Sequence, residues 1–229
     1  MSRSSILEEA FKAYTENLAM VVPAAALILV VSLTVFILVL SVLPLGLIGL
    51  LAGKPFSIVS LLLGAPILLL IALAVVVVTS SLCLGTLASM AVTASTGERA
   101  DLSEAFELSK AKLSTLLPVG LVVSLLTLFF SVIPLVGTAV ALTAFTPAFV
   151  LVVLGASAGE ALEESVRVMV DALSKRPEVP VVVFVIYLLS STWRLGLLAW
   201  VLGAPYAFTL VAYYLVNEVR WAPRAGRGW

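Results

Sequence analysis

Residues 113–159 read LSTLLPVGLVVSLLTLFFSVIPLVGTAVALTAFTPAFVLVVLGASAG, 47 consecutive positions without one charged side chain. No water-facing surface can be built from such a run. A transmembrane helix takes about 20 apolar residues to cross roughly 30 Å of hydrocarbon, so the block is too long for one span and suits two. The segment Ile133-Pro134-Leu135-Val136-Gly137 interrupts it. Its proline and glycine supply the turn between two antiparallel helices.

The same pattern extends outward from this hairpin. Residues 18–53 and 55–97 are uncharged on either side of Lys54, and 179–217 carry only Arg194. The spacing predicts helices over 18–43, 60–92, 115–133, 137–155, 179–192 and 197–219, which is an all-α integral membrane protein of six transmembrane helices in three hairpins. The first connection is read through Gly46, Gly49, Gly53, Lys54 and Pro55, and the last turn near Ser190–Gly196. Composition agrees: 62% of the 229 residues are hydrophobic and 11% charged, with a mean hydropathy of +1.22. Soluble domains carry roughly 25% charged residues. Glu8, Glu9 and Glu16 precede the first apolar stretch, where a signal peptide would be basic, so that stretch is expected to stay in the protein as a span.

Between the hydrophobic blocks lie three shorter segments, Ile6–Leu18, Asp101–Leu117 and Ala158–Leu173. Each carries a related triplet: Glu9-Ala10-Phe11, Glu104-Ala105-Phe106 and Glu160-Ala161-Leu162. Counted from the glutamate, offsets +1, +2, +9 and +13 are apolar in all three, ending at Leu18 and Val22, Leu113 and Leu117, and Met169 and Leu173. That spacing suits one helical face. Asp101 followed three residues later by Glu104 reads as a capping box that opens the second segment. In the third, Glu163, Glu164, Arg167, Asp171 and Lys175 are read as a charged face opposite Leu162, Met169 and Leu173. The expected architecture is one membrane domain over 1–229 with a pseudo-threefold internal repeat, approximately 5–97, 101–157 and 158–220. Each unit is an amphipathic helix followed by a transmembrane hairpin.

Lys and Arg concentrate on the cytoplasmic side of membrane proteins. In the six-span arrangement Arg3, Lys12, Arg99, Lys110, Lys112, Arg167, Lys175, Arg176, Arg220, Arg224 and Arg227 share one side, and only Lys54 and Arg194 lie on the other. A multi-pass protein of the cell membrane with both termini in the cytoplasm follows. The 13 basic and 13 acidic residues cancel, which gives no argument for a nucleic-acid partner. There is no histidine and a single cysteine, Cys83, so imidazole chemistry, a disulfide framework and a thiolate metal site are excluded. Glutamine is absent and asparagine occurs only at Asn17 and Asn217, a depletion that fits a thermophile.

The strings Phe145-Thr146-Pro147-Ala148-Phe149, Gly159-Glu160-Ala161-Leu162-Glu163-Glu164-Ser165 and Glu104-Ala105-Phe106-Glu107-Leu108-Ser109 resemble a loose archaeal and bacterial family of membrane proteins. Its members are similar to the membrane domain attached to some glycerophosphodiester phosphodiesterases. The resemblance covers most of the chain but not the catalytic domain, with its histidines and metal-binding acids. What it implies is a membrane scaffold without catalytic, metal or cofactor residues.

All 13 acids fall in the cytoplasmic segments or tails, outside the uncharged blocks, and no Ser–His or paired-acid constellation accompanies the span hydroxyls, so neither an enzyme nor a proton-coupled pump is expected. The expected function is a non-enzymatic multispan scaffold or accessory subunit of a membrane complex. The alternatives are a transporter or channel for small neutral or amphiphilic solutes, or lipid handling at the cytoplasmic leaflet. Interfacial or partner-facing candidates are Glu9, Phe11, Glu104, Phe106, Glu160, Leu162, Glu163, Glu164, Arg167, Asp171 and Arg194. Membrane lipids are the expected partners, together with a protein at the cytoplasmic face or a second copy of the chain. The short helices either anchor the hairpins as interfacial elbows or form a docking collar. The small-residue pairs Gly155/Gly159, Ser81/Gly85 and Gly85/Ser89 mark close helix packing.

Overall fold

The computed structural model describes residues 5–52, 55–192 and 195–221. These residues are helical almost throughout and contain no strand. In chain order the helices are α1 (Ile6–Glu16), α2 (Val21–Ala52), α3 (Pro55–Ser95), α4 (Leu102–Ala111), α5 (Leu113–Phe130), α6 (Val136–Val153), α7 (Ala158–Lys175), α8 (Glu178–Ser190) and α9 (Gly196–Val219). Two stretches of α9, Ala199–Gly203 and Tyr214–Val219, widen into π-helix.

Five of these helices are long and apolar enough to cross a membrane: Leu18–Ser41, Pro66–Ser95, Leu113–Phe130, Val136–Val153 and Gly196–Val219. The sixth expected span falls on α8, which is apolar but has 13 residues. At 1.5 Å per residue it is roughly 20 Å long, short of the hydrocarbon thickness. A correction falls on the first connection, where α2 continues through Gly46 and Gly49 to Ala52 and α3 opens at Pro55. A helical glycine costs about 1 kcal/mol against alanine. Breaking the helix among apolar neighbours would strand backbone groups at several kcal/mol each, so the helix continues. Proline at the first helical position lacks an N–H that the helix would not use. Gly53 and Lys54 lie outside the described residues.

The inner layer is formed by α3, α6 and α9, each packed against the other two. Outside them sit α2, α5 and α8, each beside the inner helix that follows it in sequence, with α5 also against α3 and α8 also against α6. Ser81 and Gly85 on α3 face Gly120 and Leu116 on α5, so this small-residue pair serves contact within the chain. Of the other predicted small residues, Gly155 lies in the α6–α7 turn and Gly159 has open space around it.

The ends of the inner helices share a geometry. Gly97 after α3 has φ +83 and Gly155 after α6 has φ +107. Each is followed by a 6→1 hydrogen bond, Glu98 N to Thr93 O at 3.3 Å and Ala156 N to Leu151 O at 2.9 Å. This is the left-handed glycine termination that satisfies the last carbonyls. At the end of α9, Arg220 takes the left-handed conformation with φ 51.

Candidate functional site

The short helices α1, α4 and α7 gather at the end of the bundle that carries the charged residues. α4 packs on α3, α7 on α6, and α1 on α9. A side-chain oxygen opens each: Ser5 Oγ accepts from Glu8 N at 3.2 Å, Asp101 Oδ1 from Ser103 N and Glu104 N at 2.8 and 3.0 Å, and Ser157 Oγ from Glu160 N at 3.4 Å. Capping of this kind satisfies orphan amides of the first turn.

The buried face of these helices takes in only part of the shared apolar offsets, at +1 in all three and at Met169, offset +9, in the third. The residues turned onto the bundle are Ala10 and Tyr14, Ala105 and Ser109, and Ala161 and Ser165, at offsets +1 and +5. Offset +2 turns away: Phe11 is 54% exposed and Phe106 43%, while Leu162 is half-buried against the core. Leu18 and Val22 are exposed as well, and so is Leu173. A large apolar side chain outside the packed face covers lipid rather than protein, so small residues set the distance of closest approach and the larger ones shield the flank.

Phe11 joins an aromatic trio with Tyr14 and Tyr206, ring centroids 5.8–6.3 Å apart, and Tyr206 O–H donates to Leu7 O at 3.2 Å. The trio fixes α1 on α9. Burial pushes the Tyr14 phenol up from its ordinary value.

Among the charged candidates, Glu104 and Glu163 are exposed, whereas Glu9, Glu160 and Asp171 are half-exposed. Glu164 is a correction, because it is buried at 8% exposure rather than on the water face. Arg167 folds over it, with Nη1 2.7 Å from Glu164 and Nη2 3.2 Å from Glu163. Glu164 lies three residues after Ala161 and four before Val168, on the buried stripe of α7, and the ion pair offsets its desolvation. Asp171 pairs with Lys175 at 2.8 Å, which holds that ammonium above its usual value. Arg194 lies outside the described residues.

Three polar side chains that sequence reading did not select tie this end together. Lys112 Nζ donates to Val152 O and Val153 O at 3.0 and 2.7 Å, capping the carbonyl end of α6 from the α4–α5 corner. Burial lowers its pKa. Asn17 Nδ2 donates to Ala13 O at 2.9 Å and its Oδ1 accepts from Ala100 N at 2.8 Å. Asn217 Nδ2 donates to Ser95 O at 3.0 Å. Both asparagines of the chain thus fasten the end of α3. A further cross-link belongs to Arg176, whose Nη2 donates to Glu218 at 2.9 Å and joins the α7–α8 turn to α9.

Deeper in the bundle, Thr146 gives its only hydroxyl proton to Leu142 O at 2.6 Å, so Tyr187 O–H is the donor in the 2.8 Å contact with Thr146 Oγ1. The Tyr187 ring lies 5.8 Å from Trp200, tilted by 44°. Thr146 falls within a quoted string, but nothing in the linear pattern points to Tyr187, 41 residues away. Among the described residues no group of three or more His, Cys, Asp or Glu side chains could hold a metal ion.

Comparison with known proteins gives no similarity to draw on: no family model matches the chain, and no curated protein or solved structure matches it significantly.

Proposed function

We propose that this protein is a non-enzymatic membrane scaffold or accessory subunit, with six spans in three hairpins and its charged end in the cytoplasm. The observation that carries this reading is the filled centre of the bundle. Where α3, α6 and α9 meet, Leu87, Ala88, Ala91, Ala148, Leu151, Ala207 and Leu210 are buried against one another. A solute pathway along that axis would need a polar or open centre, and apolar packing there favours a static core.

The three-hairpin arrangement draws support from the packing order. The pairings α4 on α3, α7 on α6 and α1 on α9 form a closed ring, and left-handed residues end all three inner helices. In this reading α8 is the sixth span. It sits between inner helices as α5 does, and the residues of the α8–α9 turn complete the crossing. The eleven basic residues grouped on one side support the orientation. The resemblance to the membrane domain of phosphodiesterase-like proteins is of a piece with a scaffold role.

Reconstitution into proteoliposomes tests the reading. A scaffold leaves the permeability of the vesicles to small neutral solutes at the protein-free level. Saturable flux by the purified protein alone would overturn it in favour of a transporter.

A further inference from the structure

No further inference is drawn: the strongest candidate, the apolar groove of about 520 Å³ that opens among α2, α3, α5, α6 and α9, carries none because nothing in the structure shows what covers it.

Discussion

Gly120 on α5 meets Ser81 on α3 where the two helices leave no room for a methyl group. A Cβ at position 120 would lie 3.2 Å from the Ser81 Cβ and overlap its hydroxyl oxygen. That hydroxyl is held by donation to Val77 O at 2.7 Å, and Ser81 is fully buried. Gly120→Ala must therefore push α5 off α3 or turn the serine away from its acceptor. Overpacking of this kind costs about 1–3 kcal/mol, and the better helix propensity of alanine returns about 0.5–1, for a net loss of roughly 1–2 kcal/mol. Gly159 on α7 supplies the control, because a Cβ there has nothing within 4 Å. Gly159→Ala should be neutral or stabilising. Unfolding in mixed micelles, followed by circular dichroism, compares the two. Ser81→Gly combined with Gly120→Ala should recover much of the loss, with a coupling of about 1 kcal/mol or more in a double-mutant cycle. If Gly120→Ala unfolds where Gly159→Ala does, or if Ser81→Gly gives no recovery, α3 and α5 do not pack as described.

The same assay separates two neighbouring carboxylates. Glu163→Gln should change stability by about 0–1 kcal/mol, since that side chain is exposed, while Glu164→Gln should cost more, about 1–2 kcal/mol, through the partly buried bond to Arg167. Asn17→Ala and Asn217→Ala should each cost about 0.5–1.5 kcal/mol, and hydrogen exchange should rise at residues 94–100, where both side chains hold the end of α3. Lys112→Met removes the donor to Val152 O and Val153 O. It should raise exchange at the α6–α7 turn, with no change at Asn217 and its partner Ser95.

The apolar blocks were legible because span length is fixed by the bilayer and charge is excluded from it. The turn at residues 131–135 was readable for the same reason, although α5 ends at Phe130, three residues before the expected boundary. The continuation of α2 through Gly46 and Gly49 was not legible. Glycine marks a turn in water, but among apolar neighbours the backbone has no other way to satisfy its hydrogen bonds. The triplets located α1, α4 and α7, and of the apolar offsets +1 marked the buried face while +2 did not. An interfacial helix has three environments, protein, lipid and water, and hydrophobicity cannot separate the first two. Ala10, Ala105 and Ala161 pack on the bundle because they are small, and Phe11 and Phe106 face outward because they are large. Glu164 was hidden for a related reason, as its charge signals water while Arg167 reaches over from the same helix. Tyr187 was not legible because its hydrogen bond to Thr146 crosses between helices 41 residues apart in the chain.

Cysteine accessibility in intact cells tests the six-span scaffold most directly, and the structure selects the positions. Gly137 is unsuitable because any side chain there would collide with Phe130 O. Val132, 80% exposed in the α5–α6 turn, and Leu195, 51% exposed in the α8–α9 turn, are open. So are Ser103 on α4 and Ser174 on α7. In a Cys83→Ala background, cysteine at Val132 and Leu195 should react with an impermeant maleimide from outside. Cysteine at Ser103 and Ser174 should react only after permeabilisation. Protection at Leu195 alongside labelling at Val132 would mean that α8 does not cross the membrane, and the six-span account would be wrong.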